Sequence, residues 1–217
     1  MAIAELPFKE RQRRAREEAI LDAAQEVLVE RGLHEMSMDD IAARVGIAKG
    51  TIYLHFSSKD ALAAALVARG IEDVNALIAG LDPAQPVLER LGRVLRTLLW
   101  RQEKGLRFIR GDFQELRRII ASDERCTRLV TRLRELLAAL VDEGKRKGEI
   151  DPHLHTGAAA GAFFALLSPR SYDRMLAGSD ITPAELGESI VRLYLRGIAA
   201  DRATIPRQEN PDDRRHD

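Results

Sequence analysis

The chain has 217 residues, 34 Lys or Arg against 34 Asp or Glu, and a hydrophobic content of 45%, which is enough for a folded core. Its zero net charge excludes a protein that holds nucleic acid by bulk attraction, and its single cysteine, Cys126, excludes an intrachain disulfide. The longest apolar stretch, residues 157–167, is too short to span a bilayer, and no apolar signal core opens the chain, so we expect no membrane association and a cytoplasmic location.

The chain opens with a basic arm. Five cations precede the first helix with only Glu10 among them: Lys9, Arg11, Arg13, Arg14 and Arg16. Such an arm could lie along a phosphate backbone or reach a minor groove, and a solvated, disordered N-terminus explains it equally well. Residues 1–60 hold nine Lys or Arg against eleven Asp or Glu, so basic character is only local. Any specific nucleic-acid binding must depend on where individual cations are placed.

Three short helices follow. The inner stripe of the first consists of Ile20, Ala23, Ala24, Val27 and Leu28, and this helix is predicted to end at Gly32. In residues 38–56, Ile41, Ala42 and Val45 form an apolar stripe, and Gly46 provides a helix end that tolerates positive φ. Ser37, three residues before Asp40, resembles a capping box. This spacing predicts two helices meeting at a tight turn, the unit that places a helix in the DNA major groove.

The second helix of this unit has an unusually bare outer face. Ile52 and Phe56 point inward, Gly50 and Leu54 point outward, and the flanks carry Thr51, Tyr53 and His55. Glycine costs a helix about 1 kcal/mol relative to alanine, so Gly50 indicates close approach of a partner. Leu54 suits contact with a thymine methyl, and the flanking donors suit phosphate oxygens.

The chain resembles the TetR family of bacterial one-component transcriptional regulators. The resemblance lies in residues 19–32, AILDAAQEVLVERG, and 36–62, MSMDDIAARVGIAKGTIYLHFSSKDAL, and its most distinctive part is GIAKGTIYLHF followed by Lys59. It implies phosphate contacts from Ser37, Thr51, Tyr53, His55 and Lys59, and positions near bases for Ala48, Lys49, Gly50 and Leu54. The family often has a hydroxyl residue where this chain has Ala48. Ser37 has the alternative role of a cap, Tyr53 that of a packing residue, and His55 that of a solvated histidine.

The rest of the chain predicts successive helices. A long fourth helix, capped by Ser57 or Ser58, runs to about residue 79, and its length of roughly 30 Å can join two domains. Further helices are predicted at 84–103, 105–121 and 123–147, and Asp151 with Pro152 is predicted to open another. The chain is therefore expected to be all-α, with a helix-turn-helix domain over residues 1–60, a regulatory and dimerisation domain over 61–200, and a disordered tail over 201–217.

Two segments predict a homodimer. The small residues of 157–162 permit close helix approach, and together with the amphipathic segment 183–199 they can form a four-helix interface between two chains. In the resembled family this is the dimerisation surface. We therefore expect dimerisation through helices near 152–168 and 183–199, with packing inside one monomer as the alternative.

A ligand site is predicted less directly. The aromatic residues that could line an apolar cavity are Trp100, Phe108, Phe113, Phe163, Phe164 and Tyr172. Taken singly, each of them fits a core position better than a ligand contact. No glycine-rich phosphate loop, HExxH or CxxC occurs, and His153 and His155 lie on different helix faces, so we predict no catalytic residue, no metal site and no cofactor.

The sequence thus predicts a homodimeric DNA-binding regulator. Its two recognition helices would enter successive major grooves of the operator, about 34 to 36 Å apart or somewhat more. We expect a repressor that a small-molecule inducer of unknown identity releases from its operator by moving the fourth helix. A ligand-independent DNA-binding dimer is the first alternative, and an enzyme or scaffold on a helical fold is a distant second.

Overall fold

In the computed structural model of the protein, residues 7–103, 113–167, 174–177 and 180–200 are described, and they form a helical fold. The nine longer helices are α1 Phe8–Glu35, α2 Met38–Val45, α3 Lys49–His55, α4 Lys59–Ala79, α5 Val87–Glu103, α6 Phe113–Ser122, α7 Glu124–Arg146, α8 Thr156–Leu166 and α9 Pro183–Ile198. Within the described ranges, strand pairing is limited to one bridge between Ile150 and Ala199. The predicted all-α fold is confirmed.

Two large apolar clusters hold the fold together. The N-terminal cluster is built from α1, α2 and α3 and extends into α4 through Leu62 and Leu66. The C-terminal cluster combines the second half of α4 with α5, α7, α8 and α9. A third cluster, around Ala64 and Cys126, packs α4 against α6 and α7. Since α4 contributes to all three clusters, it connects the two ends of the molecule mechanically.

Helix ends follow local capping signals in most places. Asp123 caps α7 by accepting a bond from the Cys126 amide, and Thr182 and Glu185 form a reciprocal capping box at α9. Ser58, one of the two predicted caps of α4, accepts a bond from the Ala61 amide at 3.1 Å. These caps satisfy amides that have no partner inside the helix.

The predicted helix end at Gly32 coincides with a kink, because Gly32 has non-helical backbone angles (φ +81°, ψ 172°) and separates the main part of α1 from the short turn that runs to Glu35. Two other boundary predictions are wrong. The first helix begins at Phe8, so the arm from Phe8 onward is helical rather than disordered. Asp151 does not open α8. Its carboxylate accepts a bond from the His153 amide at 2.8 Å, which closes a local turn, and His155 caps the helix four residues later. The predicted tail, residues 201–217, lies outside the described residues.

No helix in the described part of the chain is both long enough and apolar enough to cross a bilayer.

Candidate nucleic-acid interface

The turn between α2 and α3 is fixed by local bonds. The Asp40 amide donates to the Ser37 hydroxyl oxygen at 3.1 Å, which starts α2. Gly46 ends it in the left-handed region at φ +75°, and the Ile47 amide donates back to the Ala42 carbonyl at 3.0 Å. Beneath the turn, Ile41 and Ile52 are fully buried. The two helices are therefore held as one rigid unit, as the spacing predicted.

The outward face of α3 is open. Leu54 is 79% exposed and Tyr53 is 44% exposed, although both are large apolar-bodied side chains. A Cβ atom built on Gly50 would meet nothing within 4 Å. No packing requirement in the described part of the chain explains a glycine at this position. Ala48 precedes α3 and provides no side-chain cap.

Lys49 is an exposed cation at the start of α3. Its Nζ lies 2.8 Å from Asp39 Oδ2 on α2, and both side chains are largely exposed. The hydrogen bond to Asp39 raises the pKa of Lys49 above its ordinary value. An exposed ion pair of this kind contributes little to stability, so Lys49 can exchange Asp39 for another anion.

Three of the predicted phosphate contacts are engaged within the protein. The Ser37 hydroxyl donates to Asp40 Oδ2 at 2.7 Å, and Lys59 Nζ donates to the His34 carbonyl at 2.9 Å. The side chain of His55 is only 11% exposed, and its Nδ1 lies 3.3 Å from Glu17 Oε1. Lys59 keeps two further donors for a phosphate oxygen. To contact a phosphate, the Ser37 hydroxyl would have to release Asp40 and the His55 ring would have to turn away from Glu17.

Two arginines that the sequence did not single out hold α2 and α4 against α1. Arg44 at the end of α2 makes a two-pronged pair with Glu30, at 2.9 and 2.8 Å. This hydrogen bonding raises the pKa of Arg44 and lowers that of Glu30. Arg69 on α4 bonds Asp22 at 2.7 Å and Gln25 at 2.6 Å. The planar guanidinium group of arginine suits such two-pronged contacts. Because the partners Glu30 and Asp22 lie 14 and 47 residues away in sequence, no local pattern indicates these pairs.

The motif is linked to the C-terminal helices through α4. Arg125 on α7 contacts Glu72 with two nitrogens, at 3.2 and 2.8 Å, and Arg118 on α6 lies 3.2 Å from Asp60. Between them, the buried Cys126 Sγ donates to the Ala64 carbonyl at 3.3 Å. Burial raises the pKa of Cys126 from 9.0 to about 12, so the thiol stays protonated. A displacement of α6 or α7 would therefore reach α4 and the helices packed against it.

The predicted ligand contacts divide into different environments. Phe163 is fully buried and meets Phe164 and Tyr194 edge to face, with ring centroids 6.1 and 5.6 Å apart. Trp100 is 55% exposed at the end of α5. Phe108, Tyr172 and the side chain of Phe113 lie outside the described residues.

Tyr194 is an aromatic residue of this region that the sequence reasoning missed. Its hydroxyl donates to the Ala159 carbonyl at 3.1 Å, and burial raises its pKa from 10.0 to about 12. Its spacing of four residues from Ile190 on an amphipathic helix could have indicated an inward position. Phe163 and Tyr194 thus belong to the C-terminal core between α8 and α9, and Phe164 packs against it.

The tight turn with its buried underside, the exposed outer face of α3 and the long helix α4 together form a helix-turn-helix unit joined to a second helical domain. Residues 20–66 match the family model described as bacterial regulatory proteins, tetR family. Residues 20–66 therefore form a domain of this family of bacterial regulatory proteins.

Proteins of similar sequence carry the names of regulators, YvdT as an uncharacterized one. The transcriptional activator FasR of Mycolicibacterium smegmatis is 36% identical over 104 residues, which are 48% of this chain and 45% of that protein. The regulator YvdT of Bacillus subtilis is 53% identical over 49 residues, 23% of this chain and 25% of that one. The matches thus span less than half of these two relatives. The fatty acid metabolism regulator protein of B. subtilis is 23% identical over 197 residues, 87% of this chain and 98% of that one.

Solved structures share the fold. A TetR-family regulator from Agrobacterium tumefaciens has a TM-score of 0.69 at 22% identity and covers 87% of this chain and 100% of its own. The regulator FadR of B. subtilis in complex with stearoyl-CoA has a TM-score of 0.64 at 20% identity, over 83% and 98% of the two chains. At these identities the likeness concerns the arrangement of helices.

Proposed function

We propose that this protein is a sequence-specific transcriptional regulator that binds operator DNA as a homodimer and is released from it by a small-molecule ligand. The observation that carries the proposal is the face of α3, where Leu54 and Tyr53 are exposed above a fully buried Ile52. A helix held this rigidly, with large side chains turned to solvent, suits insertion into a major groove about 12 Å wide. Operator DNA lies in the bacterial cytoplasm, and we propose that location for the protein.

Within this proposal the residues of the interface have two roles. Contacts near base edges are assigned to Ala48, Lys49, Gly50 and Leu54, and phosphate contacts to Ser37, Thr51, Tyr53, His55 and Lys59. Support differs between them, since Leu54 and Lys49 are exposed while His55 is turned toward Glu17. We therefore expect Leu54 to affect which sequence is bound, and Tyr53 to affect affinity for every sequence.

The proposed dimer uses the outer faces of α8 and α9. Exposed positions of α8 recur at helical spacing and are all small: Gly157, Ala158, Gly161, Ala162 and Ala165. On α9, Leu193 is 71% exposed, and a Cβ atom on the nearby Gly197 would meet nothing within 4 Å. Small residues let two helices approach closely, and an exposed leucine beside them provides apolar area to bury. These features favour the dimer over packing inside one monomer.

Ligand response is proposed through α4. Its N-terminal half packs with the motif and its C-terminal half with the larger domain, so a ligand that separates α4 from α6 and α7 would change the spacing of the two recognition helices. Stearoyl-CoA is the first probe to test, because it is bound in a structure with the same fold. Coupling is reciprocal, so operator DNA must weaken probe binding by the same factor as the probe weakens operator binding.

The test is selection of binding sites from random duplex DNA. We expect an enriched palindrome, bound by the wild-type protein and weakened by Tyr53→Ala, while Tyr53→Phe separates loss of the hydroxyl from loss of the ring. Absence of enrichment would contradict a sequence-specific regulator and would move the proposal to the distant alternative, an enzyme or scaffold. Enrichment with no effect of any ligand would favour the ligand-independent DNA-binding dimer.

A further inference from the structure

The first helix extends well beyond the core that it serves. Its first buried residue is Ile20, and residues 8–19, here called the basic extension, precede it as regular helix. Twelve residues at 1.5 Å each give an extension of about 18 Å. Its side chains from Arg11 to Arg16 are all exposed. The extension therefore contributes little to the apolar core, and its length and charge need another explanation.

The cations of the basic extension are ordered by the helix. Lys9, Arg13 and Arg16 are spaced i, i+4 and i+7, so they share one face. Continuing this spacing along α1 leads to Ile20 and Val27, both of which are buried against the motif. The cationic stripe is thus the upstream continuation of the face of α1 that packs on α2 to α4. It is directed to the same side of α1 as the helix-turn-helix.

A contact between α1 and α3 shows where the cationic stripe lies relative to α3. Glu17 Oε1 lies 3.3 Å from His55 Nδ1, at the C-terminal end of α3. From Glu17 back to Lys9 is eight residues, or about 12 Å of helix. The stripe therefore overhangs the end of the helix that we assign to the major groove, where the phosphates bordering that groove would lie.

Within the described residues, one of the three stripe cations has an acidic partner. Arg13 pairs with Glu17 at 3.0 Å. Among the residues that the structure describes, Lys9 and Arg16 form no ion pair with an acidic side chain. On the opposite face, Arg14 lies 3.7 Å from Glu10, and Arg11 stacks over Phe8 at 5.9 Å. The unpaired positive charge is concentrated on the side that faces the proposed DNA.

We propose that the stripe of Lys9, Arg13 and Arg16 binds the DNA phosphate backbone beside the groove occupied by α3. The inference rests on the proposed function and adds a second, sequence-independent contact to it. The helical form also selects between the two targets open to a basic arm. A helix with side chains is about 10 to 12 Å across, whereas the minor groove is about 6 Å wide, so the stripe contacts phosphates from outside.

Two double variants with the same change of charge test this inference. Lys9→Gln with Arg16→Gln removes the unpaired stripe cations, and Arg11→Gln with Arg14→Gln removes two cations from the opposite face. Binding of each full-length variant is measured from low to high salt on the selected operator and on a duplex of unrelated sequence. Each lost phosphate contact lowers the slope of log K against log salt by about 0.9.

We expect the stripe variant to lower the slope by about 1.8 per protomer on both duplexes, with the preferred sequence unchanged, and the opposite-face variant to leave it near wild type. Equal slopes for the two variants would overturn the inference, because they would reduce the effect to net charge. The two proposals can fail separately. If the wild-type protein showed no preference for the operator, the proposed function would fail. The effect of the stripe variant on the salt slope with the unrelated duplex would still decide this inference. Circular dichroism of both variants checks that the fold is retained.

Discussion

Replacing Gly50 by alanine should change stability and DNA affinity in opposite directions. The new methyl would meet nothing within 4 Å in the protein, and Gly50 lies inside the helical range of α3. Alanine is a better helix former than glycine by up to about 1 kcal/mol. We therefore expect stabilisation of roughly 0.5 to 1 kcal/mol, which corresponds to a rise in Tm of about 1 to 4 °C.

The same methyl should weaken operator binding. If the backbone at Gly50 approaches DNA closely, a methyl group forced into that contact costs about 1 to 3 kcal/mol, the cost of an extra methyl group in a well-packed protein core. That energy corresponds to about a 5- to 150-fold loss of affinity. Thermal unfolding and fluorescence anisotropy with a labelled operator measure the two effects on one sample.

A control separates contact from stability. Ala139→Gly, at an exposed position of α7, should lower Tm without altering operator affinity measured well below Tm. The reasoning is refuted if Gly50→Ala stabilises the protein yet binds operator as tightly as wild type, because α3 would then not approach DNA at this position. Destabilisation by Gly50→Ala would refute the conclusion that the site has free space.

Three further predictions use other parts of the structure. Ala48→Ser should stabilise the protein by about 0.5 to 1 kcal/mol in urea unfolding, because a hydroxyl can cap the uncapped start of α3; an unchanged midpoint would contradict this. Leu193→Asp should give monomers in analytical ultracentrifugation with helicity retained, whereas an intact dimer would place the interface elsewhere. Burial raises the pKa of Cys126 from 9.0 to about 12 and that of Tyr194 from 10.0 to about 12, so the unfolded chain loses these protons first and stability should fall as pH rises from about 9 toward 12. Cys126→Ala and Tyr194→Phe should each reduce that alkaline slope, and an unchanged slope in both would contradict the burial of these groups.

The parts of the fold that were predicted from sequence depend on local chemistry. Ser37 acts as a helix cap, Gly46 as a left-handed helix end and Ile52 as part of an apolar helical stripe. Each of these roles depends on residues only a few positions away, so the sequence alone is sufficient to predict it. The bare face of α3 followed from the same periodicity.

The features that were missed depend on distant or competing contacts. Arg69 is bonded to residues 44 to 47 positions away, which no local pattern indicates. Asp151 is a good cap by type, but its carboxylate is engaged by the His153 amide, and the less usual His155 caps α8 instead. The basic extension is helical because it continues a helix anchored further along, a stabilisation that its own composition does not show.

The most direct test of the account is the affinity of the wild-type protein for its selected operator relative to a scrambled duplex of the same base composition, at one physiological salt concentration. Specific regulators typically prefer their sites by at least about 10³-fold, and we expect a ratio of that order, reduced by Leu54→Ala. Equal affinities for the operator and the scrambled duplex would contradict sequence-specific recognition by α3 and with it the proposed function.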